Sequence, residues 1–295
     1  MKMKRIRIIL FSGLAALLIG CGTTSTVPLT GRKQHLLVSD EQVLSLSNQQ
    51  YQEYMKSAKK SANAANAAMV KRVGQRLASA VVSYLNTNGM GNEVSQYQWE
   101  FNLVQDNQVN AFCMPGGKIV VYEGILPVTR DEASLAVVLG HEIAHAVAKH
   151  SAERLSNAYR QQYGMNILGA VAQGTGVSTG MQQLGAVALG LGANALTAGF
   201  SRSQESEADH MGLIFAAMAG YDPQVAVDFW QRMSSATGGG SSSIFSDHPT
   251  DAKRIKQIQG WLPEARKYYK GGSTGSVIKG SHGTMPTFHI STKKK

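Results

Sequence analysis

Of the 295 residues, 43% are hydrophobic and 16% charged, which is enough apolar material for one sizeable domain with its own core. The formal charge of +10 says little about partners, because Lys2, Lys4, Arg5 and Arg7 open the chain and Lys293, Lys294 and Lys295 close it. What lies between is close to balanced, and no basic run interleaves with aromatics, so nothing points to nucleic acid. The only cysteines are Cys21 and Cys113, too few for a disulfide framework.

Residues 1–20 read as an export signal: a basic start, then an apolar run too short to span a bilayer comfortably. The run ends Leu18-Ile19-Gly20-Cys21, which resembles a bacterial lipobox with cleavage before Cys21 and acylation of that cysteine. With Gly22 next, the resemblance implies an outer-membrane lipoprotein facing the periplasm, held to the membrane by its lipid. Residues 21–34 are then a lipidated tether, 35–270 a single domain, and 271–295, rich in Gly, Ser, Thr and Lys, a disordered basic tail.

Ser39 and Gln42 have capping-box spacing ahead of a helix running through Tyr54, and a second helix is expected from Met69 to Leu85, stopped by Asn88-Gly89. The period then changes. Residues 97–104 alternate as a strand does, and residues 109–114 and 118–122 flank Pro115-Gly116-Gly117 as a hairpin. Thr129 and Glu132, again at capping-box spacing, open an almost continuously apolar helix over 131–150. A helix apolar all round is a central, buried one. Residues 161–201 carry no charge and are rich in Gly, Ala, Leu and Gln, which suits a helical cover over an active site better than a membrane span.

The buried helix carries His141-Glu142-Ile143-Ala144-His145. Residues four apart share a helix face, so His141 and His145 can grip one metal ion, with Glu142 beside them to take a proton from the attacking water. Burying two histidines and a glutamate is costly without such a partner. Catalytic zinc needs a third protein ligand. Phe200-Ser201-Arg202-Ser203-Gln204-Glu205-Ser206-Glu207-Ala208-Asp209 supplies candidates: Glu205 and Asp209 share a face, one to ligate and one to orient a ligand histidine. Glu207 is a rival to Glu205, but it points about 200° around the helix, so only one of them faces the metal.

HEIAH followed by SRSQESEAD closely resembles the zinc metallopeptidase family of HtpX and the CAAX prenyl protease, particularly its soluble envelope members, over residues 35–265. The resemblance implies a mostly helical α+β fold of the zincin (gluzincin) type, with a small β-sheet and a helical cover. It implies one Zn2+ per subunit on His141, His145 and Glu205, with Glu142 as the catalytic base and Asp209 behind a histidine. Asp247-His248-Pro249 and Arg254 resemble a further family segment. There His248 either locks the zinc in a latent state or steadies the tetrahedral intermediate, with Arg254 nearby. Asn110-Ala111 resembles the substrate-binding pair on the edge strand of thermolysin-type peptidases, where strand backbone pairs with extended substrate. The function implied is zinc-dependent cleavage of misfolded or stalled envelope proteins. The alternative is a latent peptidase acting mainly as a chaperone-like factor beside the outer-membrane assembly machinery.

Overall fold

The computed structural model describes residues 22–172, 199–236 and 252–271. The signal segment with Cys21, most of the uncharged stretch, the segment holding His248 and nearly all of the basic tail lie outside the described residues.

The fold is α+β and mostly helical. Two short strands, β1 (Thr23–Thr26) and β2 (Lys33–Leu36), form an antiparallel hairpin. Helices α1 (Asp40–Ser57) and α2 (Ala64–Thr87) follow. Next come β3 (Glu100–Val104), β4 (Ala111–Met114) and β5 (Lys118–Tyr122). The long helices of the second half are α3 (Glu132–Val147), α4 (His150–Ala172), α5 (Arg202–Met218), α6 (Val225–Ala236) and α7 (Ala252–Ala265). Among the described residues no helix is long and apolar enough to cross a membrane.

The capping box at Ser39 is present, with Gln42 N–H donating to Ser39 Oγ and Ser39 N–H to Gln42 Oε1. The start of α3 differs from expectation. Asp131, not Thr129, is its N-cap, accepting from Ser134 N–H at 2.7 Å. Thr129 belongs to a one-turn helix before it and spends its hydroxyl on the Leu126 carbonyl. A carboxylate two residues closer to the apolar run meets the exposed helix amides better than a hydroxyl already engaged.

The sheet has the order β3-β5-β4, with β3 parallel and β4 antiparallel to β5. The β4–β5 turn is the expected Pro115-Gly116-Gly117, and both glycines hold φ near +85° (86° and 85°), which a side chain would resist. Tyr122 N–H donates to the Asn110 carbonyl, so the backbone groups of Ala111 and Cys113 turn away from β5 along the outer side of the strand.

Thirteen of the 16 residues of α3 are buried, which makes it the central element that its composition calls for. It packs against α2, α5, α6 and β4. Fully buried Leu135, Leu139 and Ile143 each contribute about 1.5–3 kcal/mol by leaving water. Its closest neighbour is α5, and glycines explain why. A Cβ on Gly140 would stand 2.7 Å from the Gly212 carbonyl oxygen, and one on Gly212 would stand 2.6 Å from the His141 nitrogen. The two backbones touch where the histidines begin.

The stretch expected as a tether is part of the fold. Val27 is buried and Gln34 donates to the Ala148 carbonyl at 3.0 Å, while just past the stretch Leu37 N–H donates to Ser156 Oγ at 2.8 Å. These partners lie more than 110 residues away, so nothing local in the sequence announces them.

Candidate metal centre

Helix α3 presents His141 and His145 one turn apart, and α5 brings Glu205 across from them. Helix α5 begins cleanly because Ser201 and Gln204 form a reciprocal capping box. That fixes its first turn and hence the direction of Glu205. The His141 and His145 Nε2 atoms stand 3.1 Å apart, and each lies 3.4 Å from a Glu205 carboxylate oxygen. Nitrogen and oxygen donors at about 2.0–2.2 Å from a tetrahedral ion stand about 3.3–3.6 Å from one another. Two edges fall in that range and the third is about 0.2 Å short of it, so the triangle matches the donor spacing of a single small divalent cation, and all three residues are buried. Glu205 rather than its rival Glu207 faces the histidines.

Glu142 follows His141 on α3 and is 2% exposed. On β4, burial first, and then the Glu142 charge, push the Cys113 thiol well above its usual value. On that strand Ala111 is buried, and its N–H is held by Asn110 Oδ1 at 2.9 Å.

Behind the triangle, His141 Nδ1 meets Asp209 Oδ1 at 2.9 Å. Burial works against charge on His141, but hydrogen bonds to Asp209 and Glu205 outweigh it and raise the imidazole to about 9. The pocket is built to hold positive charge. Asp209 is also buried, which disfavours its charge, yet the Arg254 guanidinium and His141 hold its carboxyl below the usual range.

Arg254 is 5% exposed and comes from α7. Its Nη2 is 2.6 Å from Asp209 Oδ1, its Nη1 is 3.8 Å from Glu205, and its guanidinium carbon lies 3.4 Å from the Trp230 ring centroid. It stands against Asp209 and the Nδ1 side of His141, within reach of the ligand Glu205. His248, its expected companion, lies outside the described residues.

His150 and Glu207 extend the site on the side away from Asp209. His150 Nδ1 is 2.9 Å from His145 Nδ1, and His150 Nε2 is 2.9 Å from Glu207 Oε2. Glu207 in turn accepts from Thr30 Oγ1 at 2.6 Å and from Arg32 Nε at 2.8 Å. A histidine five residues after the second ligand histidine is a faint signal, since it falls on the next helix. The Arg32 partnership leaves no signal at all. Phe200, just before α5, stacks on His145 with ring centroids 3.9 Å apart, and the Arg154 guanidinium lies 4.2 Å from the Phe200 centroid.

Comparison with known proteins agrees with this geometry. Residues 64–262 match peptidase family M48. The mitochondrial metalloendopeptidase OMA1 of Schizosaccharomyces pombe is 39% identical over 175 residues, covering 59% of this chain and 49% of that protein. The chain thus spans about half the length of that relative. The metalloprotease LoiP of Escherichia coli is 28% identical over 222 residues, covering 75% of this chain and 81% of its own. The β-barrel assembly-enhancing protease of Yersinia pestis is 27% identical over 187 residues, 61% of this chain and 38% of that one.

Proposed function

Because the chain belongs to peptidase family M48, we propose that it is a zinc-dependent endopeptidase of the bacterial cell envelope that cleaves misfolded or stalled proteins there. The observation that carries the reading is the triangle of His141, His145 and Glu205 donors, 3.1–3.4 Å on its edges, with Glu142 buried beside it. Two nitrogens and one carboxylate suit zinc among the divalent ions. When bound, zinc supplies Lewis-acid polarisation of the scissile carbonyl and of the attacking water.

The chain's own residues do the rest. Glu142 takes the proton of the attacking water and returns it to the departing amine. Asp209 holds the far nitrogen of His141, so its Nε2 lone pair points into the triangle. The outer backbone of β4 at Ala111 aligns an extended chain by strand addition once Asn110 Oδ1 yields the Ala111 N–H. Recognition through backbone tolerates many sequences, which suits unfolded substrates rather than one folded partner.

The location rests on the lipobox-like Leu18-Ile19-Gly20-Cys21, which supports a lipid-anchored protein of the outer membrane facing the periplasm. The name of the Yersinia relative supports outer-membrane β-barrel proteins, and the machinery that assembles them, as substrates and partners.

One observation favours a second reading, a latent peptidase that acts mainly as a chaperone-like assembly factor. His141, Glu142 and His145 are each 2% exposed, and the Phe200 ring covers His145. In this reading His248 adds the lock.

Casein cleavage by the wild-type chain beside Glu142→Gln, with zinc content measured on both, separates these readings. The endopeptidase reading expects cleavage by wild type alone and equal zinc in both. Undiminished cleavage by Glu142→Gln removes the assigned base, and zinc-loaded protein that never cleaves favours the latent form.

A further inference from the structure

We propose that the N-terminal hairpin is a working part of the metal centre: Arg32 and Thr30, acting through Glu207 and His150, are positioning residues for the ligand His145. The inference rests on the zinc reading of the triangle above.

Protons can be counted along a chain of contacts that starts at His145. His145 offers the Nε2 lone pair to the triangle, so a neutral His145 carries its proton on Nδ1. That Nδ1 lies 2.9 Å from His150 Nδ1, which must then accept. A neutral His150 accepting at Nδ1 carries its own proton on Nε2, which lies 2.9 Å from Glu207 Oε2, an acceptor when ionised. Each contact is satisfied by one tautomer assignment only, and the Glu207 carboxylate at the far end selects it. His141 reaches its carboxylate, Asp209, directly, whereas His145 reaches one through a second imidazole.

What fixes Glu207 comes from elsewhere in the chain. Thr30 Oγ1 donates to Oε1 at 2.6 Å, and Arg32 Nε donates to Oε2 at 2.8 Å. The Arg32 guanidinium is itself clamped by Glu153, whose carboxylate oxygens accept from Nη1 and Nη2 at 2.7 and 2.9 Å. A planar fork held on two sides sets the direction of the Glu207 carboxylate, which a lysine cannot reproduce. Both carboxylates are largely shielded from solvent, with side-chain exposures of 16% for Glu153 and 8% for Glu207. Thr30 and Arg32 sit in the turn between β1 and β2, and Val27 is buried beneath it. The segment that leads out of Cys21 therefore ends three hydrogen bonds from a metal ligand.

The test measures zinc affinity of the full-length chain by chelator competition, together with the 15N imidazole spectrum of the zinc-free protein. Glu207→Gln keeps the shape, but its amide can turn either nitrogen or oxygen toward His150. The proposal expects zinc affinity about 10- to 100-fold weaker, and a mixture of His150 tautomers where wild type shows Nε2–H alone. Arg32→Gln should weaken affinity in the same direction, with Arg32→Lys restoring only part of it. If a charge variant loses its far-UV circular dichroism, Thr30→Val removes one hydrogen bond and should still weaken affinity about threefold. Folded Glu207→Gln and Arg32→Gln variants with wild-type affinity and a single His150 tautomer would overturn the proposal. A purely structural hairpin would lower Tm and leave the tautomer unchanged, which also overturns it. His141→Ala keeps the two readings apart. If it retains full zinc affinity, the zinc reading fails. If it loses zinc while Arg32→Gln and Glu207→Gln bind normally, only the hairpin's role fails.

Discussion

Replacing Gly212 by alanine adds one methyl group at the crossing of α3 and α5. That methyl would lie 2.6 Å from the His141 nitrogen, 2.7 Å from the Gly140 carbonyl carbon and 2.8 Å from the His141 Cα. Carbon atoms in contact prefer about 3.5–4.0 Å, so the helices must part by about 1 Å. All three neighbours are backbone, so no side chain can swing aside. Overpacking of this kind costs about 1–3 kcal/mol, against which alanine recovers about 1 kcal/mol of helix propensity. The net loss of stability is therefore modest, about 0–2 kcal/mol by the same figures. The effect on the ligand triangle is not modest. Its edges are 3.1 and 3.4 Å, and metal–ligand distances tolerate only about 0.2 Å of error. Gly212→Ala should fold, with a small drop in Tm, and should lose at least tenfold in zinc affinity measured by chelator competition. Wild-type zinc affinity in a folded Gly212→Ala protein would show that backbone contact at this crossing does not set the triangle.

Asp209→Asn should weaken zinc binding by about 10- to 100-fold, because the amide no longer offers His141 and Arg254 a charged acceptor; chelator competition checks it, and unchanged affinity would count against Asp209 as a positioning group. Acid should expose the Arg32–Glu153 pair. Burial opposes ionisation of Glu153, but its bonds to Arg32 outweigh that and hold its folded-state pKa below the usual 4.5. The pair's contribution is thus fully present above the unfolded value and is lost as pH falls through the lower folded one. The stability gap between wild type and Glu153→Gln, measured by denaturant unfolding, should be constant near neutrality and shrink below about pH 4.5. A gap that widens in acid would reverse the sign of this reasoning.

Much of the site was legible because its signals are local. Four-residue spacing places His141 with His145 and Glu205 with Asp209, and the apolar surroundings of the first pair mark a central helix. The choice of Glu205 over Glu207 came from the family resemblance, and helical geometry said only that one of them could face the metal. What escaped were pairings between distant segments. Thr30 and Arg32 look like ordinary residues in a polar leader, because Glu207 lies 177 and 175 residues away from them. Parallel pairing of β3 with β5 has no turn to announce it. Arg254 was noticed beside His248, but its direction depends on Trp230 and Asp209, which come from two other helices. The Thr129 misreading has another cause: two competent caps stood two residues apart, and the better-placed carboxylate won.

The contact between Gly140 and Gly212 has a further consequence for what the chain can tolerate. Helices α3 and α5 are held by each other, not by the residues that connect them. The first part of that connection serves the hairpin, Ser156 Oγ accepting from Leu37 N–H and the Arg160 guanidinium donating to the His35 carbonyl. Closing a longer loop costs little, about 0.6 kcal/mol for each doubling of its length. Insertions or deletions in residues 173–198 should therefore be nearly neutral for the ligand triangle, with zinc affinity by chelator competition as the check. The protein keeps its three metal-facing side chains on two rods in direct contact, so the sequence that joins the rods can change without reassembling the site.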